Sequence, residues 1–113
     1  MITVYFVPFQ LETYLPITPL TIKCQAKEKW LLTDQSQIDR LLELFGKGNT
    51  ANFDDRRVRV LISSDNFNIF VDSNGVALMD GKSIKVDKYE FENFAKSLDS
   101  NQRQFLHNLQ NCQ

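Results

Sequence analysis

The chain of 113 residues predicts an α+β domain: a mainly antiparallel sheet, with a β-meander in its C-terminal half and helices packed on one face. Three observations predict it. Val58, Val60 and Ile62 alternate with Arg57, Arg59 and Leu61, and Phe67, Ile69 and Val71 alternate with Asn68, Phe70 and Asp72. A period of two marks strands with one buried face. Turn residues separate these runs at 63–66, at Ser73-Asn74-Gly75 and at Asp80-Gly81. Two other segments, carrying Ile38, Leu41, Leu42 and Phe45, and Tyr89, Phe91, Phe94, Ala95 and Leu98, space their apolar residues at helical intervals.

Taken in order, residues 2–8 read as a first strand. Ile2, Val4 and Phe6 fall on one side and Thr3, Tyr5 and Val7 on the other. Two fairly apolar faces suit an interior place in the sheet. Residues 9–17 are irregular, and Pro16 breaks any helix there. Thr18-Pro19 has the form of a helix start, Thr capping free amides and Pro pre-set for the first helical position. A short helix through Thr21, Ile22 and Cys24 is expected, with a strand over the same residues as the alternative. Residues 29–33 are the next strand candidate. Thr33, Asp34 or Ser36 then caps a helix, Ser36 to Asp39 having capping-box spacing, and Gly46 or Gly48 ends it in the left-handed region. Residues 47–55 form a loop. In the meander, Asn74-Gly75 is the dipeptide that tolerates the positive φ of tight hairpin turns, and Asp80-Gly81 leads to a strand at 83–86. Asp87 caps a helix with Glu90 in the box position. Asp99 or Ser100 opens a last helix carrying Phe105, Leu106 and Leu109. The expected core is Ile2, Val4, Phe6, Leu41, Phe45, Val58, Val60, Ile62, Ile69, Val71, Phe91 and Phe94.

Residues 1–113 are expected to form a single domain, a size that buries about two-thirds of the unfolded surface. A hydrophobic content of 42% with nine Phe argues against disorder. A net charge of −1 provides no global field toward nucleic acid or an anionic membrane. No run approaches the ~18 residues of a membrane span. The first eight residues lack a basic leader and a cleavage site, so no secretion signal is expected. Cys24 and Cys112 are too few for a disulfide framework, and two reduced thiols in a cytoplasmic protein are expected over one bond tying the tail to the body.

Catalytic chemistry finds little to build on. His107 is the sole histidine, with no Cys or acid at metal spacing, whereas zinc needs three or four ligands. Cys24 has only His107 as a candidate base, and a small buried residue is its expected role. Asp65, Asp72, Asp80 and Asp87 recur every seven or eight positions, but each stands at a strand end, where Asp favours turns and caps. Asp72-Ser73-Asn74-Gly75 does not open an EF-hand, because Val76 and Ala77 hold the positions where that loop needs an oxygen ligand and a Gly. The Asp54-Asp55 pair beside Arg56 and Arg57 reads as a solvated charge cluster. Arg57 and Arg59 project from one side of a strand, and ion pairing within the sheet is expected there over a phosphate-facing patch. No Gly-rich phosphate loop or RNA-binding signature is present. No enzyme activity, cofactor or metal is expected.

Thr18-Pro19, the strand-helix unit from Trp30 to Phe45 and the hairpin Ile69-Phe70-Val71-Asp72-Ser73-Asn74-Gly75 give the chain a resemblance to the small cytosolic immunity proteins that bacteria encode beside polymorphic or contact-dependent growth inhibition toxins. The resemblance covers size, charge and layout. It implies a stoichiometric inhibitor that binds one cognate toxin domain, often a nuclease, with no catalytic residue and no direct contact to nucleic acid or membrane. Nuclease domains are basic around their active sites, so acidic loops would speed association. Asp54, Asp55, Asp65, Asp72 and Asp80 are the candidate partner-binding residues. Alternate turns of a meander share an end, so Asp65 and Asp80 are expected together, with Asp72 at the opposite end. A structural or adaptor subunit that assembles through its sheet face is the alternative.

Overall fold

In the structure, a computed structural model that describes residues 1–46 and 52–106, the alternating segments pair edge to edge in a single sheet. Among the described residues the elements are β1 (Ile2–Phe6), α1 (Ile22–Gln25), β2 (Glu28–Leu32), α2 (Gln35–Leu42), β3 (Val58–Ser63), β4 (Asn68–Asp72), β5 (Val76–Met79), β6 (Lys82–Lys85), α3 (Lys88–Lys96) and β7 (Arg103–Phe105). The strand order is β6-β5-β4-β3-β1-β2-β7, with every neighbour antiparallel. The α+β class and the meander, β3 to β6, are as the alternation implies.

Both faces of β1 are used, as its two apolar sides require. Ile2, Val4 and Phe6 join Trp30, Leu32, Val60, Ile62, Ile69 and Val71 in the main core, closed by Ile38 and Leu41 of α2 and Phe91, Phe94 and Ala95 of α3. The two longer helices therefore share one face. The four-residue α1 is different: its Ile22 packs with Val7, Ile17, Val58 and Leu61 in a smaller cluster. Val7 and Leu61 alternate with the main-core residues, so α1 lies over the opposite face.

The main core centres on aromatic rings. Trp30 has no exposed surface, and its ring centroid lies 5.1 Å from Phe6, 5.4 Å from Phe91 and 6.1 Å from Phe94. Its indole N–H donates to Glu28 Oε1 at 3.1 Å. Arg103 closes on the same carboxylate, Nε to Oε1 at 2.6 Å and Nη2 to Oε2 at 3.2 Å. This pair clamps β7 to β2.

Several local expectations are corrected. Residues 99–106 do not form a helix. Asp99 Oδ1 accepts from the N–H groups of Asn101 and Gln102, giving one capped turn, after which the chain extends as β7. The bond between Arg103 and Glu28 outweighs the helical spacing, and Phe105 is left 66% exposed; Leu109 lies outside the described residues. At α2 the cap is Asp34, which accepts from Ser36 N–H at 2.9 Å and not a Ser36–Asp39 box. That hydrogen bonding to Ser36 holds the Asp34 carboxyl below its ordinary value. The helix ends at Leu42, so Phe45 leaves it to bridge Val86 and is only half-buried. Gly46 is not left-handed; its N–H donates to Lys85 O at 2.7 Å, and an added Cβ would meet that oxygen at 3.0 Å. Gly48 lies outside the described residues.

The positive-φ hairpin moves as well. At Asn74-Gly75 only Gly75 has positive φ, whereas Asp80 (φ 49°) and Gly81 (φ 77°) are both left-handed. The two-residue turn between β5 and β6, with Met79 opposite Lys82, is therefore the type I′ hairpin. In α1 the cap residue is Thr21, whose hydroxyl accepts from Thr18 N–H at 2.9 Å and not from the helix, while the Thr18 hydroxyl accepts from Leu20 N–H one turn earlier. Asp87 caps α3 through Glu90 N–H, as expected. Cys24 is disulfide-bonded, which corrects the expectation of reduced thiols; the chain's other cysteine, Cys112, lies outside the described residues.

Phe91 touches Phe6, Phe9 and Trp30 with no surface exposed. Phe91→Ala is expected to cost about 3–5 kcal/mol in denaturant unfolding. A loss under about 1 kcal/mol would mean that the cavity collapses without disturbing the ring cluster.

Candidate functional site

The meander sorts the five candidate acids into two groups. Between β3 and β4 the Ser64 hydroxyl accepts from Asn66 N–H and Phe67 N–H, each at 3.2 Å, and Ser64 N–H donates to Phe67 O at 2.9 Å. The turn is thus closed by Ser64 and Phe67, which leaves Asp65 exposed. Asp80 is exposed at the type I′ turn. The β4–β5 register (Phe70 opposite Leu78, Val71 opposite Ala77), carried on along the strands, sets Asn68 against Asp80. The two turns therefore share one end of the sheet, as expected. A groove of about 170 Å³ lies there, lined by Leu42, Phe67, Asn68, Ile69, Met79 and Asp80.

Asp72 is at the opposite end, also as expected, but it is fully buried. Its Oδ2 accepts from Asp54 N–H at 2.9 Å, and its Oδ1 from Asn74 N–H at 2.9 Å and Val76 N–H at 3.0 Å. These three N–H groups make it the tie between two loops, and with no exposed surface it offers no charge to a partner. Asp54 is half-buried and accepts from Arg56 N–H at 3.0 Å, while Asp55 is exposed beside exposed Arg56 and Arg57. Opposite charges offset one another at this end. Asp65 and Asp80 make the more acidic surface, tempered by Lys82 across from Met79.

The arginines do not form a patch. Arg57 is exposed, but Arg59 is 3% exposed and donates to Val58 O at 3.1 Å and Leu11 O at 3.0 Å. Burial pulls its guanidinium down from the ordinary value, with Arg57 adding repulsion while Asp54 and Asp72 oppose the shift. The expected ion pairs within the sheet are likewise not formed; among the described residues the salt bridge is Glu28–Arg103. Arg59 instead fastens the irregular loop after β1.

That loop is the feature that period counting misses. It exposes Leu11, Tyr14 and Leu15, with Leu20 exposed just beyond, while Ile17 N–H donates to Arg56 O at 3.2 Å and ties its far end to the strand β3. The signal available in sequence was large apolar residues in a stretch with neither helical nor strand period. The face opposite α2 and α3 is a second feature of this kind: the register lines up Lys29, Tyr5, Leu61, Phe70 and Leu78 across five strands, and Tyr5, Phe70 and Leu78 are half-buried.

Two further grooves offer no catalytic grouping. One of about 550 Å³ is lined by Leu44, Asn74, Lys85 and Lys88 among others, and one of about 320 Å³ by Arg40, Glu43, Glu90 and Asn93 among others. Neither sets a Ser, Thr or Cys beside a base. His107 lies outside the described residues, and among the described ones no group of three or more His, Cys, Asp or Glu could hold a metal ion. No helix among them is long and apolar enough to cross a membrane. Comparison of the chain with protein-family models, curated proteins and solved structures finds no match.

The two kinds of acid separate in a stability measurement. Asp72→Ala strands buried N–H groups and is expected to cost about 1–3 kcal/mol in urea unfolding. Asp65→Ala removes an exposed charge and should stay within about 0.5 kcal/mol of the parent. Equal effects would contradict the division between a carboxylate that holds loops and one that faces water.

Proposed function

We propose that the protein is a stoichiometric inhibitor of the immunity type, which binds a basic toxin domain, a nuclease in the first instance, through the acidic end of its sheet. The observation that supports this most is the placement of two exposed aspartates, Asp65 and Asp80, at one end of the meander, with Asp80 on the lip of an apolar groove. Burial of Asp72 and the Arg56/Arg57 counter-charges turn the weight of the proposal away from the Asp54–Asp55 end. Inhibition by occupation needs shape and charge, and asks for no nucleophile. Acidic rim charges raise the rate of encounter with a basic surface and are screened by salt.

The variants must respect the backbone. Asp80 has a φ of 49°, a conformation that Asn tolerates and that costs most other residues about 1–2 kcal/mol. Asp65→Lys combined with Asp80→Asn is therefore expected to slow association with a cognate basic toxin at low salt and flatten its salt dependence, with little change in thermal stability. Unchanged association kinetics would refute the acidic-end model.

A second reading, an adaptor that assembles through its sheet face, is supported by half-exposed Tyr5, Phe70 and Leu78 on the side away from α2 and α3. Light scattering of the isolated chain that gave a dimer sensitive to Phe70→Ser would favour it.

A bacterial cytosolic setting belongs to the inhibitor proposal, and the disulfide at Cys24 counts against it, because disulfides persist mainly in oxidising compartments. Alkylation of intact cells before lysis, read by mass, tests the setting. On the cytosolic reading Cys24 takes the reagent; protection until reductant is added would exclude that setting.

A further inference from the structure

We infer that the groove between the β3–β4 and β5–β6 turns receives a single arginine side chain of the partner, its aliphatic stem against Leu42, Phe67 and Met79 and its guanidinium on Asp80. This rests on the inhibitor reading and adds what that reading lacks, the chemical identity of the group recognised.

Size restricts the occupant. At about 170 Å³ the groove is smaller than the roughly 300–1,000 Å³ typical of small-molecule sites, and suits one extended side chain. Its floor and wall are apolar, from Leu42, Phe67, Ile69 and Met79, while Asp80 and Asn68 supply its polar lining. An apolar slot with a carboxylate at its rim matches a side chain with a methylene stem and a cationic end. Lysine and arginine both meet that description. The apolar wall selects between them: a guanidinium is more weakly hydrated than an ammonium and so loses less on entering the slot, and its planar fork matches the two oxygens of the Asp80 carboxylate.

The acceptor at the rim is held in place. Asp80 and Gly81 are both left-handed in a two-residue turn flanked by the Met79–Lys82 pair, so the backbone carrying the carboxylate has little freedom. The β3–β4 turn, which leads into Phe67 of the slot wall, is closed by Ser64. Lys82 is the nearest cation by position and offsets part of the field, which leaves direct contact with Asp80, more than long-range attraction, to decide affinity at the slot.

The experiment is a titration of ¹⁵N-labelled protein with Nα-acetyl-arginine methylamide, followed by amide chemical shifts. Nα-acetyl-citrulline methylamide, the neutral near-isostere, and the lysine analogue are titrated alongside. The arginine compound is expected to move the amides of Phe67, Asn68, Ile69, Met79 and Asp80, and the lysine compound the same amides more weakly. Asp80→Asn, which keeps the turn, should weaken arginine about two- to fivefold, the range for an exposed ion pair. Met79→Ala, which shortens the half-buried wall of the slot, should also weaken arginine while the spectrum stays dispersed. Citrulline binding as well as arginine, or arginine shifts scattered over every exposed carboxylate, would overturn the assignment. The two levels fail separately. Localised arginine shifts with no effect of Asp65→Lys and Asp80→Asn on toxin association would sink the inhibitor reading. Charge-dependent toxin association with scattered arginine shifts would sink the groove assignment alone.

Discussion

The burial of Trp30 is the constraint from which much of this structure follows. The largest ring in the chain has no exposed surface, yet it carries an N–H that has left water. A stranded donor costs about 1–3 kcal/mol, enough to cancel much of what burying the ring contributes. Glu28 stands two residues away on the same face of β2 and accepts that N–H. A carboxylate 5% exposed then needs a cation, and Arg103 provides a two-pronged one. The bond to Glu28 raises the Arg103 guanidinium above its ordinary value, against the opposing effect of burial. The edge strand β7, only three residues long, thus exists to complete the solvation of an indole.

The parts of the fold legible in sequence are those whose causes are local. The meander was readable because each strand's partner is the next strand, and its turns are made by residues with few alternatives. The interior place of β1 was readable because Thr3, Tyr5 and Val7 are too apolar for a solvated face. Asp87 announced α3 because a cap and its amide are three residues apart. The misreadings share the opposite property. Phe105 and Leu106 have helical spacing, but the decision at residues 99–106 belongs to Glu28, 75 positions away from Arg103. Asp72 looks like Asp65 and Asp80 in sequence; it differs because the 52–57 segment folds over it and donates the Asp54 N–H. Asn74-Gly75 and Asp80-Gly81 are equally good turn dipeptides, and the Asp72 carboxylate, by taking Asn74 N–H and Val76 N–H, selects a different turn for the first. Arg59 promised a surface charge and became a fastening for the loop after β1.

Charge in this molecule is accordingly divided by use. Glu28, Arg59 and Asp72 are spent inside, each fixing a connection that apolar packing alone would leave loose: an edge strand, a long loop, a pair of turns. At the surface Asp34, Asp87 and Asp99 cap helices or a turn, whereas Asp65 and Asp80 are not taken up in this way, and the meander sets both at one end of the sheet, Asp80 at the lip of a groove with an apolar floor. A chain with a net charge of −1 can in this way present a locally acidic end without any global field.

The position of β1 also governs the order in which the sheet can close. β2 and β3 never touch as a ladder; β1 stands between them, with Tyr5 opposite Lys29 on one side and Leu61 on the other. The four strands of the meander can zip together through short turns, whereas joining them to β1 must close a loop of more than fifty residues, a step with a larger entropic cost and a slower rate. During synthesis β1 therefore waits, one edge unpaired, until Ser63 has followed it out of the ribosome.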